Sequence, residues 1–94
     1  MKYFDVLQNA IETFGEQNQT IVAIEELSEL QKELTKFLRG HGSEEHLAEE
    51  MADVQIVFDQ IEIMHGNRGA VAVWQAEKAS RLATGIRKAR GGNG

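Results

Sequence analysis

Cysteine and proline are both absent from this 94-residue chain. The first absence excludes a disulfide framework, a thiolate metal site and a cysteine nucleophile. The second leaves no residue that would break a helix from within. Aromatic residues are scarce, at 6% of the chain, with one Trp and one Tyr. No apolar run approaches the roughly 20 residues that span a bilayer, and the N-terminus lacks the basic-then-apolar order of a secretory signal. A cytosolic protein with no membrane partner is therefore expected. There is no G-x-x-x-x-G-K-[ST] loop to cradle phosphates and no G-x-S-x-G or other nucleophile pattern. A P-loop mechanism is excluded, and any hydrolysis is expected to proceed by direct attack of water.

What is present is acidic. The formal net charge is −5, with the acids concentrated between Glu12 and Glu62 and the bases gathered at Lys78, Arg81, Arg87, Lys88 and Arg90. An acidic chain is a poor nonspecific ligand for nucleic acid, so no nucleic-acid partner is expected. The same balance is compatible with a small anionic substrate held through a metal ion. The length predicts a single domain, residues 1–90, followed by a disordered tail at 91–94. A chain this short buries a limited core alone, which makes a homo-oligomer the expectation.

Periodicity predicts an all-α fold. Phe4, Leu7, Ile11 and Phe14 form the stripe of a first amphipathic helix, from about Lys2 to Phe14, ended by Gly15. The polar run Glu16 to Thr20 reads as a short connection with Thr20 as a candidate N-cap, although the helix could start a few residues earlier. The second helix then reaches Leu38 or Arg39 before Gly40-His41-Gly42. Ser43 caps a third helix, with Glu44 and Glu45 favourable to its dipole, running to about Met64 and ending at Gly66. After a loop from Gly66 to Gly69, a last helix is expected from about Ala70 to Ala89. The alternation Val71-Ala72-Val73 could be a strand, but a single three-residue strand would have no partner. There is no internal repeat.

Two carboxylate pairs stand out, Glu26/Glu29 and Glu50/Asp53. Each is spaced i, i+3, which projects both acids from one helical face. At about 100° per residue, Leu47, Met51, Val54, Phe58 and Ile61 form the apolar stripe of the third helix. Glu50 falls in its middle and Asp53 at its edge. A solvated Glu belongs on the opposite face, with Glu49, Gln55 and Asp59. On the second helix the stripe is Ile24, Leu27, Leu34 and Leu38, bordered by Glu26 and Glu33. Glu29 lies a little further round, and Glu25 points further away. Burying an ionised carboxylate is costly unless it is paired or binds a metal. Four acids facing one another call for a cation, and a hard divalent ion such as Mg²⁺ suits an all-oxygen donor set. The competing reading is a set of solvated surface acids, which leaves Glu50 unexplained.

Other residues carry less. His41, His46 and His65 invite a transition metal, yet a di-iron carboxylate bundle uses two E-x-x-H pairs, and only Glu62/His65 is present, at a helix end. Trp74, Phe37 and Phe58 could stack on a nucleobase, but at helical spacing they read as core. Gln8, Asn9 and Gln19 could read base edges and are equally well solvated amides. Lys78 and Arg81 share one face of the last helix and could bind phosphate, or could be a solvated basic helix end.

The order E-E-x-x-E followed by E-x-x-D resembles the acidic motif of the MazG-like all-α nucleoside triphosphate pyrophosphohydrolases. The chain supplies Glu25, Glu26 and Glu29, then Glu50 and Asp53, within Ile24-Glu25-Glu26-Leu27-Ser28-Glu29-Leu30 and Leu47-Ala48-Glu49-Glu50-Met51-Ala52-Asp53-Val54. Lys78, Arg81 and Leu82 are similar to a Lys-x-x-Arg-Leu stretch of small single-domain members. The resemblance implies a four-helix bundle-like fold completed by oligomerisation, as a homodimer or homotetramer. It also implies Mg²⁺-dependent cleavage of a nucleoside triphosphate between the α and β phosphates, with Mn²⁺ as a substitute ion, for nucleotide-pool sanitation or control. Carried over, Glu26, Glu29, Glu50 and Asp53 match the metal ligands, and Glu25 matches the acid that orients or deprotonates water. Lys78 and Arg81 would bind the departing pyrophosphate. The alternative from another class is a non-catalytic helical oligomerisation or regulatory module with a cation- or nucleotide-sensing acidic cluster.

Overall fold

A computed structural model describes residues 1–91, and the rest of the expected tail, residues 92–94, lies outside the described residues. Four helices make up the fold: α1 (Tyr3–Phe14), α2 (Glu16–Leu38), α3 (Glu44–His65) and α4 (Arg68–Ala89). There is no strand among the described residues, so the Val71-Ala72-Val73 alternation is helical.

The connections are shorter than the sequence suggests. Gly15, at φ 92°, closes α1 and opens α2 by itself. The expected connection at 16–20 does not exist, and Thr20 is not a cap. Its hydroxyl donates to the Glu16 carbonyl at 2.8 Å, one turn back inside the helix. A positive-φ glycine turns the chain in one residue, which leaves the polar run free to begin a helix, with Glu16 favourable to its dipole. Gly66, left-handed at φ 59°, ends α3 similarly, and α4 begins at Arg68, two residues before the expected start. Ser43 caps α3 as expected, its Oγ accepting from the His46 backbone N–H at 3.3 Å. In the α2–α3 turn a Cβ on Gly42 would meet the Phe37 ring, so any larger residue there needs that half-buried ring to move.

Helices α2 and α3 pack antiparallel along their length. Helix α1 packs on both, across the half that holds the start of α2 and the end of α3. Tyr3 Oη donates to Asp59 Oδ2 at 2.6 Å and ties α1 to α3. The apolar core is small: Leu7 and Ile11 from α1, Ala23 from α2 and Val57 from α3. Ala23, 2% exposed, lets the two long helices approach closely.

The packed face differs from the expected stripe. On α2 the seam runs through Gln19, Ala23, Glu26, Leu30 and Glu33, while Ile24, Leu27, Leu34 and Leu38 are exposed, Leu38 at 91%. On α3 it runs through Glu50, Asp53, Val54, Val57, Gln60 and Ile61, and Met51 and Phe58 stand outside it. Each helix has a broad apolar sector, and one neighbour covers only half of it. The seam takes the half that carries the acids and amides, which leaves the leucines beside it.

Helix α4 buries no residue and packs extensively against none of the others. Trp74 is 56% exposed and Leu82 66%, so neither Trp74 nor Phe58 is the core residue its spacing implied, and Phe37 is half-buried. The radius of gyration is 17.2 Å and the long axis 53 Å, against about 12 Å for the radius of a compact chain of this length.

At the α1 end of the seam, Gln60 Nε2 donates to Gln19 Oε1 at 2.9 Å, with both residues buried. Removing one partner strands a buried amide, whereas removing both does not. Gln60→Leu is therefore expected to destabilise the fold by about 1–3 kcal/mol, and the Gln19→Leu/Gln60→Leu double variant to recover most of that loss. Urea unfolding of the three proteins measures it.

Candidate metal centre

The middle of the α2–α3 seam holds the acids. Glu26 comes from α2 and Glu50 and Asp53 from α3, all half-buried, and each offers one carboxylate oxygen within 4.8 Å of the other two. Helical spacing explains the grouping: Glu50 and Asp53 are one turn apart on the α3 seam, and Glu26 faces them from α2. Glu50 Oε2 is fully buried and has no hydrogen-bond partner, the one such side-chain atom among the described residues.

Electrostatics at the three positions run in one direction. Burial pushes the Glu50 carboxyl above the usual range, helped by the charges of Asp53, Glu29, Glu49 and Glu33. Glu26 is also raised, first by burial, then by the charge of Asp53, by a hydrogen bond to Asp53 that favours the protonated form, and by Glu50 and Glu29. Like charges in a partly desolvated seam resist ionisation together.

The remaining sequence candidates are placed differently. Glu29 is exposed, its Oε1 lying 3.7 Å from Lys32 Nζ, and it stands outside the tight group of three although its charge bears on both Glu26 and Glu50. Glu25 is exposed on the outer side of α2. Lys78 and Arg81 sit on α4, away from the packed helices. Lys78 Nζ lies 5.8 Å from the Trp74 ring centroid, and Arg81 Nε donates to Glu77 Oε1 at 3.3 Å. His46 and His65 are exposed and belong to no group of three. The buried Gln19–Gln60 pair escaped the sequence reading, and Glu33, read there only as bordering the apolar stripe, is 5% exposed and accepts from the Ser43 backbone N–H. Seven-residue spacing from Glu26 and Asp53 was the available signal.

A divalent ion suits what is present. Every donor is a carboxylate oxygen, the ligand type of hard cations, and two oxygens on one ion at 2.0–2.6 Å lie no more than about 5 Å apart. A cation would satisfy Glu50 Oε2 and cancel the repulsion that raises Glu50 and Glu26. No family model, curated protein or solved structure matches the chain.

The raised carboxyls set the pH dependence of the metal-free protein. A group whose folded pKa exceeds its unfolded value binds protons more tightly when folded, so its penalty grows as pH rises from the ordinary carboxylate range, about 4.3, through the raised value. In chelator, the melting temperature is expected to fall over that window and then level off. Glu50→Gln is expected to flatten the fall and to raise stability at neutral pH. Thermal unfolding from pH 4 to 8 in chelator checks both.

Proposed function

We propose that the chain is a Mg²⁺-dependent nucleoside triphosphate pyrophosphohydrolase of the MazG-like kind, releasing a nucleoside monophosphate and pyrophosphate. The observation that carries this reading is the buried, unpartnered Glu50 oxygen set against Glu26 and Asp53 from two helices. An acidic pocket repels a polyphosphate, so a substrate of that class can sit there only across a cation.

Glu26, Glu50 and Asp53 would hold the ion, with Glu29 joining from α2 once freed from Lys32. When bound, the ion supplies Lewis-acid polarisation of phosphoryl oxygens and neutralises charge on the leaving group. Glu25, the acid the resemblance assigns to water, stands on the outer side of α2 and would have to reach the ion from the rim of the seam. The seam walls contribute exclusion: Ala23 and Val57 are buried one turn away and keep bulk water from that side of the acids.

The proposed assembly is a homodimer or homotetramer. Residues 1–67 hold fourteen of the fifteen acids and four of the ten bases, while residues 68–94 hold six bases and one acid. Helix α4 is thus basic and presents exposed Val73, Trp74, Leu82 and Ile86, and the acidic helices present exposed Leu27, Leu34, Met51 and Phe58. The two surfaces complement each other in charge and in apolar character. Such pairing would bring Lys78 and Arg81 to phosphate.

Purified protein with Mg²⁺ is expected to release pyrophosphate from at least one member of a panel of ribo- and deoxynucleoside triphosphates, including dUTP and oxidised bases. Glu50→Gln should reduce turnover by roughly a hundredfold or more, the scale of losing one electrostatic element of a site. Silence of folded protein across the panel, with several divalent metals, would return the regulatory-module reading. Light scattering is expected to give at least twice the chain mass, and Trp74→Glu to shift it towards the monomer. A monomeric wild type would sink the assembly.

A further inference from the structure

Glu33 lies outside the acidic motif, yet it is the most buried acid among the described residues, at 5% exposure. It sits seven residues beyond Glu26 on the same face of α2. Its Oε1 accepts from the Ser43 backbone N–H at 3.1 Å, and its Oε2 lies 3.7 Å from Lys36 Nζ. Ser43 is the residue that caps α3, and its own Oγ accepts from His46 N–H. The first turn of α3 is therefore fastened twice, once by its cap and once from the opposite helix.

The register is informative. Glu33 is seven residues from Glu26, and Ser43 is seven residues from Glu50. On the other side, Gln19 is seven residues from Glu26, and Gln60 is seven from Asp53. The acids are thus bracketed by two polar clips between α2 and α3, each about 10 Å along the helix axes. A neutral acceptor would fasten a backbone N–H equally well at lower desolvation cost. What a neutral acceptor would lack is charge. The Lys36 side chain is 58% exposed, so its pairing leaves the Glu33 charge largely uncancelled towards the interior. That charge stands on the same seam as the acids, about two turns of α2 from Glu26.

We infer that Glu33 is a positioning residue of the acidic centre: its bond to Ser43 sets α3 against α2 so that Glu50 faces Glu26, and its fixed negative charge strengthens cation binding there. The inference rests on the metal-centre reading above. The two roles separate by substitution. Glu33→Gln keeps an oxygen acceptor for Ser43 and removes the charge. Glu33→Leu removes both.

The experiment is thermal unfolding of wild type and both variants, stripped with chelator and titrated with MgCl₂ at constant ionic strength, with far-UV circular dichroism to confirm helix content. Glu33→Gln is expected to melt at or above the wild-type temperature without metal. It should then need about three- to tenfold more Mg²⁺ for half-maximal stabilisation, the scale of one unit charge acting on a divalent ion across about 10 Å of largely water-screened protein. Glu33→Leu is expected to melt lower and to lose most of its response to Mg²⁺. A merely structural Glu33 would instead lower metal-free stability and Mg²⁺ affinity together in the Gln variant. That result, or a Gln variant with wild-type half-saturation, overturns the inference. A wild type that Mg²⁺ fails to stabilise overturns the metal-centre reading itself, and Glu33's role with it. The two failures are distinguished because one appears in the wild-type titration and the other only in the variants.

Discussion

Repulsion between carboxylates governs this structure. Glu26, Glu50 and Asp53 offer oxygens within 4.8 Å of one another in a seam from which one of those residues, Glu50, directs an oxygen at no partner. In water such a group would separate. Here the two helices that carry the acids are held in register by the Gln19–Gln60 and Glu33–Ser43 bonds on either side, and are brought close by Ala23. The fold keeps together groups that would otherwise part, and burial together with their shared charge raises the Glu26 and Glu50 carboxyls.

The same demand explains why the packing looks inverted. A seam that must hold acids and amides has little room for leucine, so its apolar content is limited to small or half-buried residues such as Ala23, Leu30, Val54 and Val57. The bulkier residues lie just outside it and stay exposed. Helix α4 carries the opposite charge and its own exposed apolar residues, and packs extensively against none of the three acidic helices, touching α1 through Arg68 over the Phe4 ring at 5.7 Å. The elongated shape follows from these two facts.

Much of this was legible in the sequence. The all-α class, four helices, the Ser43 cap and the ends at Gly15 and Gly66 all follow from local rules, because caps and left-handed glycines are decided within a few residues. The position of Glu50 on the packed face also followed from its phase among Leu47, Val54 and Ile61. What local rules could not supply was which half of an apolar sector meets a neighbour. Ile24, Leu27 and Leu34 satisfy helical periodicity as well as Ala23 and Leu30 do, and only the tertiary requirement that Glu26 face Glu50 chooses between them. Gln19 and Gln60 were invisible for a related reason, since forty-one residues separate two amides that are meaningful only as a pair. The α2 start was misplaced because a polar run resembles a loop until Gly15 is seen to turn the chain alone.

The isolation of α4 also shapes how the chain behaves in time. The α2–α3 hairpin is closed by a short turn, and its pairings can form outward from that turn, Glu33–Ser43 first and Gln19–Gln60 last, a helical topology that forms fast. Helix α4 has 22 residues and no buried side chain, so its backbone hydrogen bonds are sustained by little beyond its own turns. In proteins most helical stability comes from packing an amphipathic face, which α4 lacks within one chain. In a lone chain its amide protons belong at the fast-exchanging end of the molecule and a protease would find its first cut there, while the clipped acidic pair stays closed; pairing with another copy would close that difference.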